Sequence, residues 1–213
     1  MEFTALLEIV GDEAVFETAL LLAGEVEPRQ VRRQLVRWTQ AGRLYQLRRG
    51  LYALAPPFQK VKPHPFLIAN RLVGGSYVSC QSALAYYGLI PEYTPVTVSV
   101  TTGRPGRKET PLGVFEFHHI QTPWLRGYRL VDLGGGQKAF LATPEKALLD
   151  CIYLYPGADS PAYLSELRLQ HLESLDLDEL LRLAEDSSRP KLKRAARIVV
   201  DLARAQAQEY ETL

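Results

Sequence analysis

Sulfur is scarce in this chain: its 213 residues hold two cysteines and one methionine. Cys80 and Cys151 stand far apart, with no histidine at ligand spacing beside them. That excludes a zinc module or a disulfide framework as the organising device, and each cysteine reads as a small buried hydrophobe. Long apolar runs are missing too. No stretch approaches the roughly 20 residues that a bilayer-spanning helix needs. The first residues carry acids where a secretory signal needs bases, so a soluble, cytoplasmic protein is expected. Repeats and low-complexity tracts are absent. Two further absences are local. Residues 1–27 carry seven acids and no base, whereas residues 28–56 carry seven arginines and no acid. The net charge of +1 hides that separation, and a strongly basic segment is the footprint of a polyanionic partner.

The basic segment has a shape. From Pro28 to Gly42 the spacing predicts a helix, with Val31, Leu35 and Trp38 on one stripe. Arg29, Gln30, Arg33, Arg37 and Gln40 fall on the opposite face, with Arg32 and Gln34 on its flanks. Pro28 suits a first turn, where its missing N–H costs nothing, and Gly42 suits the end. Two short alternating runs follow, Leu44 to Leu47 and Leu51 to Ala55, joined by Arg48-Arg49-Gly50. That is a hairpin with a basic tip. Upstream, residues 2–10 and 13–23 read as two helices, with Gly11 as a stop, Asp12 as the next N-cap, and Gly24 to Glu27 as a turn. Three helices and a hairpin in about 55 residues are the economy of a winged helix-turn-helix. The expected contacts to double-stranded DNA are Arg29, Gln30, Arg32, Arg33, Arg37, Gln40, Arg48 and Arg49. Arg33 and Gln30 are the expected base readers, since arginine suits guanine and glutamine adenine. The hairpin arginines are expected on phosphate.

A boundary is expected near Pro56-Pro57, leaving residues 57–213 for a mixed α/β domain and making the whole chain α+β. Helices are predicted at Phe66–Leu72 and Gln81–Tyr87, the latter capped by Ser79 or Ser82. Strands are predicted at Tyr77–Val78, Val96–Thr101, Val114–Ile120, Tyr128–Leu133 and Lys138–Leu141, with Thr102–Pro111 as a loop and Gly134-Gly135-Gly136 as a turn. A helix from Thr143-Pro144 to Leu154 follows. Residues 161–208 read as two or three helices. Their expected apolar faces are Leu177, Leu180, Leu181 and Ala184, then Ile198, Val199 and Leu202.

Several blocks, taken in this order, resemble the AbiEi antitoxin family: Arg49-Gly50-Leu51-Tyr52-Ala53, the run from Tyr77 to Glu92 with its Ser82-Ala83-Leu84 and Gly88-Leu89-Ile90-Pro91, Val98 to Thr102, Phe115 to Ile120, and Ala142-Thr143-Pro144-Glu145-Lys146-Ala147-Leu148-Leu149-Asp150. The resemblance spans residues 1–155. It implies a winged-helix domain that represses its own operon at inverted repeats. It also implies a C-terminal domain that counteracts a nucleotidyltransferase toxin, without a stable complex between the two, in a type IV toxin–antitoxin system of phage defence. No cofactor, metal or membrane is implied. An orphan winged-helix regulator with a sensing or dimerising domain is the alternative.

An enzyme must be weighed beside this. Asp132, Glu116, His118, His119 and Lys138 fall on or near predicted strands, where carboxylates can hold Mg²⁺ for phosphodiester chemistry. They lack the close spacing of a nuclease centre, and strand alternation puts His118 and His119 on opposite faces. The three glycines lack the Lys-Ser/Thr ending of a phosphate loop. The basic loop from Thr102 to Lys108 either touches phosphate or is merely mobile. The blocks shared with the family have plain structural readings: Glu145 as a capping-box carboxylate, and Lys146 with Asp150 as a weak pair across one helical turn. In the tail, Lys191, Lys193, Arg194, Arg197 and Arg204 offer a basic face to nucleic acid or to solvent.

Overall fold

The computed structural model describes residues 1–23, 26–91 and 95–211. Gly24 and Glu25 of the expected turn lie outside them, as does Glu92. Helix α1 (Phe3–Val10) buries Leu6 and Val10 and stops at Gly11, whose N–H donates to the Leu7 carbonyl at 3.0 Å. The second apolar run is not one helix. Phe16–Glu17 is a short strand, β1, and only Thr18–Leu21 is helical (α2), so Asp12 caps nothing. An open strand edge wins over helical spacing here. Phe16 pairs with Tyr52 in register, their rings stacked at 5.9 Å.

Helix α3 (Pro28–Gln40) starts on Glu27, whose carboxylate accepts the N–H groups of Arg29 at 3.1 Å and Gln30 at 2.8 Å. Its stripe of Val31, Leu35 and Trp38 packs into a small core with Leu6, Val10, Phe16, Leu21, Leu44, Tyr52 and Leu54. Burial of each such side chain is worth about 1.5–3 kcal/mol. Phe3 meets Trp38 edge-on at 5.3 Å and Phe58 at 4.9 Å. Strands β2 (Leu44–Arg48) and β3 (Leu51–Leu54) complete an antiparallel sheet in the order β1-β3-β2. Gly50 takes φ of 82° at the tip, and its carbonyl accepts from the Thr18 N–H at 2.9 Å, tying the tip to α2.

The rest of the chain is built on a second sheet. In chain order come α4 (Pro65–Leu72), β4 (Ser76–Val78), α5 (Cys80–Tyr86), β5 (Val96–Thr101), β6 (Gly106–Thr110), β7 (Gly113–His119), β8 (Tyr128–Gly134), β9 (Gln137–Ala142), α6 (Pro144–Leu154), α7 (Pro161–Glu166), α8 (Leu177–Asp186) and α9 (Pro190–Glu211). The strand order is β6-β7-β5-β4-β9-β8. β5 with β7 and β4 with β9 are parallel, and the other pairs are antiparallel. The architecture is α+β. Proline opens α3, α4, α6, α7 and α9, where it removes only an N–H that had no helical partner.

The expected loop at Thr102–Pro111 contains β6. An edge strand needs no apolar face, so Arg107, Lys108 and Glu109 disguise it, and pairing with β7 decides the conformation. Ser79 stands at the N-cap position of α5, but its hydroxyl makes no cap hydrogen bond and donates to Asp150 at 2.6 Å, while Ser82 lies inside the helix, donates to the Val96 carbonyl at 3.1 Å and accepts from the Val98 N–H at 2.9 Å. On the tail, Leu202 faces solvent, and α9 buries Leu192, Ala195, Ala196, Val199 and Ala203 instead. On α8 the buried positions are Leu180, Leu183 and Ala184. The hairpin belongs to the large core as well as to its own sheet: Leu47, Leu51 and Ala53, with Val15 just before β1, share one apolar cluster with Ile68, Leu72, Phe115 and Phe117.

Candidate nucleic-acid interface

Helix α3 presents its polar face to solvent. Arg29, Gln30, Arg32, Arg33, Arg37 and Gln40 are all exposed. Positions 30, 33, 34 and 37 repeat at helical spacing, so their side chains stand together, and they line a shallow concavity of about 330 Å³. Among the described residues no carboxylate pairs with Arg29, Arg32, Arg33 or Arg37. Glu27, at the start of the helix, spends both carboxylate oxygens on the helix's own N–H groups. Gln34, placed on the flank by sequence, joins the concavity, and its side-chain carbonyl has no hydrogen-bond partner among the described residues. Val36 is a further feature that charge counting misses: it is 53% exposed on the same helix, an apolar contact beside the arginines.

The hairpin tip divides. Arg49 is exposed. Arg48, expected on phosphate, is half-buried and engaged by the protein's own groups: its guanidinium donates to the Arg71 carbonyl at 3.1 Å, to the Arg49 carbonyl at 3.1 Å, and to Glu17 at 3.2 Å. A planar fork of five donors suits that three-way contact. Arg48 thus clamps the hairpin to α4, and a sequence shows two adjacent arginines as equals because it does not show Arg71.

The densest group of polar side chains in the large core surrounds Asp150. One carboxylate oxygen accepts from Tyr77 at 3.0 Å and Ser79 at 2.6 Å; the other accepts from the Trp124 indole N–H at 2.7 Å and from Lys146. The Lys146 ammonium also sits 4.2 Å from the Trp124 ring centroid. Lys146, Asp150 and Ser79 are fully enclosed, and Tyr77 and Trp124 nearly so. Burial pulls the lysine pKa down against the opposing pull of Asp150, and burial followed by Asp150 pushes the Tyr77 phenol up. Ser, Lys, Asp and Tyr together suggest chemistry. Here every carboxylate lone-pair direction is filled by protein donors and solvent is shut out, so the group is a hub joining α6, β4 and the turn at Trp124. The weak helical pair expected from sequence is a buried one. Glu145 departs as well: it accepts from the Asp176 N–H at 3.0 Å, anchoring the start of α8 rather than capping its own helix. The cysteines, far apart in sequence, meet beside this hub. A hydrogen bond with Cys151, then burial, raises the Cys80 thiol well above its usual range.

A chain of the same fold has been solved. The crystal structure of the RV2827C protein from Mycobacterium tuberculosis matches 94% of this chain and 76% of its own, with a TM-score of 0.57 and 18% sequence identity. At that identity the likeness carries the fold alone. No family model and no curated protein matches the chain.

The remaining sequence candidates scatter. Glu116 approaches His118 at 3.8 Å and receives Arg107 at 3.2 Å, which also reaches Glu109 at 3.2 Å. His119 points elsewhere, its Nδ1 lying 3.0 Å from the Gly103 carbonyl. Asp132 accepts from the Gly134 N–H at 2.8 Å in the β8–β9 turn, across from Lys138 in register. Gly134, Gly135 and Gly136 all take positive φ, the geometry of a tight turn. Among the described residues no group of three or more His, Cys, Asp or Glu side chains could hold a metal ion, and no helix is long and apolar enough to cross a membrane. The tail's basic face is largely consumed within the molecule. Lys191 donates to the Tyr155 carbonyl, Lys193 pairs with Glu185, and Arg194 with Asp159 at 2.6 Å.

Proposed function

We propose that residues 1–56 form a winged helix-turn-helix that binds double-stranded DNA, and that the chain is a transcriptional autorepressor of the AbiEi antitoxin kind. One observation carries the reading: the exposed face of α3 holds four arginines with no partner carboxylate among the described residues. Arginines that stabilise a fold are paired or stacked within it, as Arg48 and Arg194 are here. Unpaired arginines in a row on one helix, with glutamines between them, fit phosphate and base edges instead. The β2–β3 hairpin beside the helix, tipped by Arg49, stands where a wing would meet the backbone. Residues 57–213 then carry the antitoxin-type activity against a nucleotidyltransferase toxin, and the chain is a binding protein rather than an enzyme.

The test is titration of a duplex carrying the chain's own promoter. Neutralising about five phosphates should make affinity fall roughly 10²–10³-fold between 50 and 200 mM salt. Absence of promoter binding at low salt would refute the DNA reading. Magnesium-dependent cleavage of DNA or RNA, lost on replacing Glu116 or Asp132, would put a nuclease in its place.

The antitoxin half is tested on the full-length chain, because Leu47, Leu51 and Ala53 are part of the large core and a truncation after residue 56 would strip them from it. Arg33→Glu with Arg37→Glu should abolish repression yet still protect cells that express the neighbouring toxin. Growth arrest despite soluble expression of that variant would leave residues 57–213 without an antitoxin role.

A further inference from the structure

The two outer strands of the six-stranded sheet are built differently. β6 exposes Arg107, Lys108 and Glu109, and a charged edge of that kind resists pairing with another strand. β8, at the other margin, has no strand beyond it among the described residues. It is seven residues long and largely exposed. Its register with β9 sets Tyr128, Leu130 and Asp132 across from Ala142, Phe140 and Lys138, so these six side chains share a face. Leu130 is 54% exposed, Phe140 44% and Tyr128 38%, with the Tyr128 and Phe140 rings edge-on at 5.7 Å. Of the nine large hydrophobic side chains that the described residues expose, three therefore lie in this one two-strand patch. Single exposed apolar residues are ordinary, but a contiguous group on an open strand is an association site.

We propose that β8 pairs antiparallel with β8 of a second copy of this chain, on a two-fold axis through Leu130. An edge strand presents a row of open N–H and C=O groups, which calls for another strand as occupant. Charge suits a second copy. β8 bears one cation, Arg129, and one anion, Asp132, so two such strands do not repel each other. A two-fold axis keeps the apolar faces on one side only when facing residues have the same parity; a one-residue slip would turn them apart. Centred on Leu130, that register sets Leu130 against Leu130 of the partner subunit. Tyr128 faces Asp132 of the partner subunit, phenol toward carboxylate, and Arg129 faces Val131 of the partner subunit. No like charges stand opposite each other. The same patch serves both chains, as a two-fold interface requires. The pairing rests on the sheet and stands apart from the DNA reading.

Light scattering on the full-length protein, without DNA and over a range of concentrations, is expected to give twice the chain mass. Leu130→Lys and Phe140→Glu, each at an exposed position, should each yield a monomer with unchanged circular dichroism. Leu130→Cys tests the register. Treated with diamide, two such thiols would give up their hydrogens to the reagent's N=N bond and form one interchain S–S bond, while Asp132→Cys should cross-link far less. The native thiols at Cys80 and Cys151 are buried and do not compete. A wild-type monomer at the highest concentration, a dimer that survives both substitutions, or equal cross-linking at 130 and 132 would overturn the proposal.

Discussion

Replacing Asp150 by alanine is expected to remove about 3–5 kcal/mol of folding stability, the range for breaking a buried ion pair by deleting one partner. The deletion strands four donors at once. Lys146 loses its counter-ion at a fully buried site and must either hold an unpaired charge or give up its proton, and Tyr77, Ser79 and Trp124 lose the acceptor of 3.0, 2.6 and 2.7 Å bonds. Each neutral donor left without a partner costs about 1–3 kcal/mol, so relaxation and water entry must absorb part of the loss. The same count separates this site from a simple pair. An isolated Lys–Asp pair can often be replaced by two apolar residues at no cost. Here Lys146→Met with Asp150→Leu should remain clearly destabilised, because the three neutral donors still converge on the carboxylate's former place. Urea unfolding followed by circular dichroism measures both variants. A loss below about 1 kcal/mol for Asp150→Ala, the size of one ordinary hydrogen bond, would mean that the hub does not hold the helices to the sheet.

That hub also shows where a sequence stops speaking. Lys146 and Asp150 are four apart on a helix, and such a pair on a surface is worth a few tenths of a kcal/mol. Nothing in the spacing shows that Tyr77, Ser79 and Trp124, between 26 and 73 residues away, converge on one carboxylate. Helix α3 is the opposite case. Pro28 at its first turn, the Val31-Leu35-Trp38 stripe and the arginines facing away are all local, so its bounds and both faces could be read before folding. Elements whose conformation is decided by a partner strand were lost: β1 hides in an apolar run that suits a helix, and β6 hides in a charged run that suits a loop. Arg48 and Arg49 were indistinguishable for a related reason. What separates them is a carbonyl 23 residues away, at Arg71.

Arg33→Ala is expected to weaken operator binding by about 1–3 kcal/mol and to relax preference at one base position, if Arg33 reads a guanine edge from the major groove. Arg33 is exposed, lies in the middle of the polar face of α3, and has no carboxylate partner among the described residues. Its loss should therefore leave folding stability within about 0.5 kcal/mol of wild type, as for other surface substitutions. The outer cations should behave differently. If Arg37 and Arg49 rest on phosphate, Arg37→Ala and Arg49→Ala should each weaken all duplexes alike and lower the salt slope by about 1. Arg48→Ala gives the internal contrast. It breaks the clamp to Glu17 and the Arg71 carbonyl, so its effect should appear as a stability loss of about 0.5–1.5 kcal/mol, with no change in salt slope. Competition gel shifts against duplexes varied one base at a time, repeated at several salt concentrations, separate these outcomes. Unchanged affinity and selectivity for Arg33→Ala would remove α3 from the operator contact. Equal salt slopes for the Arg49→Ala and wild-type proteins would remove the hairpin tip from it.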